Sequence, residues 1–188
     1  RQSQAFTDSA RPQHGGRAAS SHTQAGDDRI HPQVFESIGQ RSIELAVRAF
    51  NALGRPLIVI GDGPDARRLH RLAGPTVRFA GRVSDAEVAR LLSSARALVV
   101  TATEEFGIAA VEAQAAGRPV IALDEGGVTE SVIEGETGVF YDEATPEALV
   151  DAVAAFDPEA VDPLACVANA RRFGVAAFRS EIRAAVDE

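Results

Sequence analysis

From residue 42 onward the chain alternates between two hydrophobic rhythms. "SIELAVRAFNALG" sets Ile43, Ala46, Val47, Phe50 and Leu53 on one side of a helical repeat and stops at Gly54. "PLIVI" (56–60) is an unbroken apolar run too short for a helix, and it predicts a buried strand. The alternation then repeats. "GDGPDARRLHRLAG" predicts a turn and a helix, "TVRFAG" a strand, "SDAEVARLLSSA" a helix and "ALVVTA" a strand. "FGIAAVEAQAAG" predicts a helix, "PVIAL" a strand, "GGVTESVIEG" a turn with a short helix, and "TGVFY" a last strand. "TPEALVDAVAAF" is a further helix, and helical patterns fill most of 158–187. Two helix starts carry their own chemistry. Ser84 with Glu87 three residues on forms a capping box, and Thr145 precedes Pro146 at a first helical position.

Strands that are apolar throughout and alternate with helices predict an α/β domain, a Rossmann-like parallel sheet with helices on both faces. Such sheets bind ligands outside the carboxyl ends of their strands, near the topological switch point. The loops at 61–64, 81–84, 103–107 and 124–128 all follow predicted strands. Residues 1–33 differ: they are rich in Gln, Ser, Gly, His and Arg, and their few apolar positions have no period. A segment of this kind buries too little surface to offset its ordering entropy. The expected organisation is a disordered tail over 1–33 and one domain over 34–188.

Charge and composition narrow the function. A net charge of −8 argues against a nucleic-acid surface and obliges any anion site to supply local donors. No lysine occurs, so a basic ligand contact must be arginine or histidine. The histidines, His14, His22, His31 and His70, lack metal-ligand spacing, and no metal site is expected. Cys166 is the single cysteine, expected to be a small buried residue, and it excludes an internal disulfide, as suits a cytoplasmic location. No apolar run approaches a membrane span, and no signal peptide is visible, so membrane contact is expected to be peripheral at most. "ARRFGVAAFRSEIRAAV" is amphipathic, but with Glu181, Asp187 and Glu188 it makes a poor membrane helix and is expected to pack on the core. The absence of methionine leads to the expectation of a fragment of a longer protein.

The densest candidate chemistry lies in "TEEFGIAAVEAQAAGRPVIAL" (103–123). Glu104 falls in a turn after a strand. A helix should begin near Phe106 or Gly107, with unpaired N–H groups at the positive end of its dipole. Gly107 lets a ligand approach the backbone. Glu112, farther along that helix, can accept hydrogen bonds from two vicinal hydroxyls. One stretch could thus hold phosphate and sugar together. On this reasoning alone the two glutamates are equally readable as solvated charges at a helix end.

"EEFGIAAVEAQAAGRPVIA" resembles the E-x7-E signature of the retaining glycosyltransferases of family 4, which have the GT-B fold. "LIVIGDGPDARRLHRLA", "VRFAGRVSDAEVARLLSSARALVV" and "GGVTESVIEGETGVFYDEATPEALVDAV" resemble, in order, further pieces of that family's C-terminal half. The resemblance spans roughly 41–188 and implies a single GT-B half that binds the donor. It implies that Glu104 contacts hydroxyls of the donor hexose and that Phe106, Gly107 and Ile108 present N–H groups to sugar and diphosphate. Glu112 would hold the ribose. Arg41 would neutralise the diphosphate leaving group, beside a turn made by Gly61 and Gly63. Phe79 to Val83 would line the nucleobase pocket, with Arg82 either a base contact or a surface arginine.

The implied reaction is hexosyl transfer, mannosyl among the possibilities, from a GDP- or UDP-hexose to an acceptor hydroxyl. It needs no metal and no cofactor beyond the donor. Two departures stand out. Glu36 falls near where the family has a phosphate-binding arginine, after a weak strand interrupted at Pro32. The N-terminal acceptor domain has no counterpart, so the chain by itself is expected to be inactive. A truncated or degenerate non-catalytic nucleotide-binding module is the alternative. A sugar-nucleotide 2-epimerase fits less well, because that family does not usually carry the Glu-x-Phe-Gly form.

Overall fold

The computed structural model describes residues 40–186. The expectations for the 1–33 tail, Pro32 and Glu36 lie outside them. The elements run α1 (Gln40–Leu53), β1 (Leu57–Ile60), α2 (Ala66–Leu72), β2 (Val77–Gly81), α3 (Asp85–Ser94) and β3 (Leu98–Val100). They continue with α4 (Ile108–Ala115), β4 (Val120–Leu123), α5 (Val128–Ser131), β5 (Gly138–Tyr141) and α6 (Pro146–Ala155). After a 3-10 turn at Pro158–Ala160 come α7 (Pro163–Ala170), a second 3-10 turn at Arg171–Phe173, and α8 (Val175–Val186).

The helix boundaries follow from local chemistry. Ser84 Oγ accepts from the Glu87 N–H at 3.3 Å, while the Glu87 carboxylate turns to Arg90 at 2.8 and 2.6 Å. The Ser84 side of the capping box therefore forms, with Glu87 engaged by an arginine one turn on. Thr145 Oγ1 accepts from the Ala148 N–H at 3.2 Å, with Pro146 at the helix start. Gly54 ends α1 in a left-handed conformation, φ 63°.

All ladders are parallel, and they form two pieces among the described residues: β1 with β2, and β3-β4-β5. Alternate strand residues face opposite layers. Leu57, Val59, Val99, Ile121 and Leu123 join Phe50 and Val47 of α1 and Leu149 and Val153 of α6 in one core. On the other face, Leu98, Val100, Val120 and Ala122 pack on Ala109, Ala110 and Ala113 of α4 and on Val128 of α5. Ile58 and Ile60 meet Leu91 of α3 on that same side. The β1-to-β2 crossover, through α2, lies on the α1 face, since Leu72 and Ala73 pack there. The crossovers from β3 through β5 lie on the opposite face. Right-handed crossovers on opposite faces wind away from each other, so the switch point falls between β1 and β3. The turns that follow those two strands flank it.

The last helix departs from expectation. Val175, Phe178, Ile182 and Val186 are exposed instead of packing on the core. Both faces of the strands are already covered by α1 to α6, and the principal neighbour of α8 among the described residues is the 3-10 turn that leads into it. None of the described helices is long and apolar enough to cross a membrane.

Candidate functional site

The turn after β3 is fixed from both sides. On one side, Thr101 Oγ1 donates to the Ser42 carbonyl at 2.8 Å, tying the first turn of α1 to the carboxyl end of β3. Arg41 lies in that first turn, next to Ser42. Its side chain is outside the described part of the structure. On the other side, the turn after β4 stacks backbone on backbone. The Gly127 N–H donates to the Glu104 carbonyl at 2.7 Å, and Thr103 Oγ1 donates to the Glu125 carboxylate at 2.7 Å. A Cβ at Gly126 would lie 2.5 Å from the Glu104 carbonyl oxygen, and one at Gly127 would lie 2.2 Å from that of Glu105. Gly126 also has φ 77°, whereas Gly127 has an ordinary helical φ of −65° and is needed purely for space. The "GG" after β4 is therefore a brace for the Glu104 turn. The sequence marks it only as a turn.

Glu104 is half-buried in this turn, and desolvation raises its carboxyl pKa above the usual range. Gly107, with φ 74°, caps α4, and the first N–H groups of that helix have no intrahelical acceptor. Phe106 and Ile108, on either side of it, are 52% and 62% exposed, so this helix end opens to solvent. Glu112 is the fifth residue of α4. It lines an open groove of about 490 Å³ between α3 and α4, together with Asp85, Val88 and Leu92. Its pKa is also raised, first by desolvation and then by the charge of Asp85. Glu104 is not among the residues lining that groove. The two glutamates thus serve different surfaces of one helix: the turn above its start, and the groove along its side.

The turns after β1 and β2 are joined to each other. The Gly61 N–H donates to the Gly81 carbonyl at 2.9 Å, with Gly61 at φ 115° and Gly81 at φ 67°. Arg82 follows at this edge and is exposed. The Gly63 N–H donates to the Asp62 carboxylate at 2.9 Å, so this N–H of the turn expected to lie beside the diphosphate is engaged within the turn itself. Phe79, at one end of the segment expected to line a base pocket, has its ring in tilted contact with His70 of α2, centroids 4.1 Å apart. Cys166 is fully buried as expected, and burial pushes its thiol pKa up to about 11.

Sequence reasoning assigned nothing to Gln114, Ser131 or Asn169, yet all three are buried in one hydrogen-bonded cluster behind α4. The one available signal was a glutamine on the inner face of an otherwise apolar, alanine-rich helix.

The described residues thus form a parallel α/β fold in which a glycine-capped helix follows β3, with Glu104 in the turn before that helix and Glu112 in the groove along its side. The comparisons define the class: residues 25–173 match the family "Glycosyl transferases group 1", and the chain belongs to that family. It is 36% identical over 125 residues to the GDP-mannose-dependent alpha-mannosyltransferase of Mycolicibacterium smegmatis, covering 66% of this chain and 31% of that one. It is 42% identical over 81 residues to the D-inositol 3-phosphate glycosyltransferase of Nocardioides sp., covering 43% of this chain and 18% of the relative. Among solved structures, the sucrose-phosphate synthase of Thermosynechococcus elongatus superposes with a TM-score of 0.72 at 26% identity, over 84% of this chain and 45% of that chain. HepE of Anabaena in complex with UDP-glucose gives 0.69 at 23% identity, over 85% and 49%, a likeness of fold. The chain spans less than a third of the length of these curated relatives and less than half of these solved proteins.

Proposed function

We propose that the described domain is the donor-binding half of a family-4 retaining glycosyltransferase, which takes a hexosyl group from a GDP- or UDP-hexose. Mannose is the first sugar to test, since one relative is a GDP-mannose-dependent mannosyltransferase. HepE, of the same fold, was solved with UDP-glucose, which makes a uracil nucleotide the second donor to test. The observation that carries the reading is the placement of Glu104 and Glu112 on either side of the open, glycine-capped start of α4. The α4 N–H groups and the Arg41 guanidinium would hold the diphosphate and stabilise its charge as the bond from the anomeric carbon to phosphate breaks. Glu104 would accept hydrogen bonds from the hexose and Glu112 from the ribose. The anomeric carbon then bonds to the acceptor oxygen on the face the diphosphate left, and the acceptor's O–H proton passes to the departing diphosphate oxygen. No metal takes part in this scheme. In it the domain is one wall of the reaction cleft, and by itself it binds donor without transferring hexose to an acceptor.

Calorimetric titration of Glu104→Ala and Glu112→Ala tests the division of labour. Glu112→Ala should weaken nucleoside diphosphate and sugar nucleotide alike. Glu104→Ala should spare the diphosphate and weaken only the sugar nucleotide. Each loss should be about 1–3 kcal/mol, the range for leaving a hydrogen-bonding group unpaired. Equal weakening of the bare diphosphate by both variants would refute the assignment.

One observation favours the second reading, a degenerate nucleotide-binding module. The Asp62 carboxylate occupies the Gly63 N–H and adds negative charge to the turn expected to lie beside the diphosphate. On that reading the unmodified protein binds neither ligand.

A further inference from the structure

The cluster behind α4 is built from side-chain amides whose donors and acceptors match one another and the Ser131 carbonyl. Gln114, Ser131 and Asn169 are 0%, 1% and 4% exposed. The Gln114 amide nitrogen donates to the Ser131 carbonyl at 2.8 Å and to the Ala110 carbonyl at 3.2 Å. The Asn169 amide nitrogen donates to the same Ser131 carbonyl at 2.8 Å and to the Gln114 side-chain oxygen at 2.6 Å. The Asn169 oxygen accepts from the Arg172 guanidinium at 2.7 Å. Both hydrogens of each amide are used, and each amide oxygen accepts a hydrogen bond. Flipping the Asn169 amide would set its NH2 against the guanidinium and its oxygen against two other oxygens. The arrangement therefore has a single orientation.

What this cluster grips is α5, and α5 touches the site at two other points. At its start, the Gly126–Gly127 turn holds the Glu104 carbonyl. Along its side, Val128 Cα and Ser131 Oγ would lie 3.4 and 3.5 Å from a Cβ on Gly107, so α5 rests on the cap of α4. At its end, the Ser131 carbonyl is clamped by the two amides. A helix of one turn has little rigidity of its own, so its pose depends on what holds its ends. The 3-10 turn after α7 adds a direct contact: Phe173 meets Phe106 edge to face, 5.9 Å between centroids at 85°, with the Arg172 guanidinium 5.4 Å from the Phe173 ring.

We infer that Asn169 is a positioning residue for the donor site. It sets the pose of α5 through the Ser131 carbonyl, and through α5 the height of the Glu104 turn over the start of α4. Arg172 orients the Asn169 amide and, with Phe173, steadies Phe106. The consequence for sugar binding rests on the donor-binding reading above. The structural coupling does not.

The test is Asn169→Ala, followed by amide hydrogen exchange and by titration with sugar nucleotide and nucleoside diphosphate. Exchange of the Gly127 amide, which bonds to Glu104, should accelerate about tenfold or more, while amides of β3 and β4 stay protected. Affinity for the sugar nucleotide should fall about tenfold, with the diphosphate much less affected. In a Glu104→Ala background the same substitution should cause little additional loss, because the carboxylate it positions is gone. Arg172→Ala, at an exposed residue, should give the same pattern at smaller amplitude and serves if Asn169→Ala does not fold. A uniform rise in exchange across the domain, with the ratio of the two affinities unchanged, would reduce Asn169 to a stability role and overturn the proposal. If the unmodified protein bound neither ligand, the donor-binding reading would fail. The exchange pattern alone would then decide whether Asn169 holds the turn.

Discussion

Glu104 sits where a carboxylate is disfavoured. Its turn is half-buried, and desolvation is the cause of its raised pKa. A carboxyl group with a raised folded-state pKa contributes stability that is fully present below its unfolded pKa and lost as pH rises through the folded value. At neutral pH the ionised form therefore works against folding. Glu104→Gln should raise the thermal midpoint at pH 7, and the advantage should shrink toward zero as pH falls below the carboxylate range. Melting curves at a series of pH values check this; an advantage independent of pH would mean that desolvation of the charge is not the cause. In the proposed site such a residue would be tolerated because an ionised carboxylate is the stronger acceptor for sugar hydroxyls. The Glu104 and Glu112 positions were visible in the sequence because their spacing around a glycine is local. Their differing surroundings, a braced turn and the α3–α4 groove, were not.

At the level of elements, most of the architecture was legible. Apolar runs and helical periodicity are local signals, and each predicted strand and helix from residue 42 to 156 is present with ends trimmed by a few residues. The caps at Ser84 and Thr145 form because each needs only a partner three residues away. What escaped is long-range. Asn169 meets Gln114 across 55 residues of sequence, and the Gly126–Gly127 turn meets the Glu104 turn from a different crossover. Periodicity carries no record of such pairings. It also predicted an inner face for α8 without indicating whether a layer remained for it to cover. The core itself follows directly from the pattern: Phe50, placed by periodicity on the inner face of α1, is fully buried between the sheet and α6. Phe50→Ala should cost about 3–5 kcal/mol in stability, read from urea denaturation. A loss under about 1 kcal/mol would place Phe50 outside the load-carrying core.

For the molecule as a whole, the opposite-face crossovers matter more than any single motif. They put the switch point between β1 and β3, and the two turns that end there carry Gly61, Gly63 and Glu104. The overall charge of −8 disfavours a nucleoside diphosphate, so the proposed site depends on local donors to hold one. The family match covers 25–173, and this site falls within it. The central claim is that this edge binds a nucleotide sugar. Amide chemical shifts of the unmodified protein, followed during titration with GDP-mannose and with UDP-glucose, test it most directly. The account predicts saturable shifts with at least one of the two, concentrated at 61–63, 104–108 and around Glu112. No shift with either donor, or shifts centred away from the ends of β1 and β3, would contradict it.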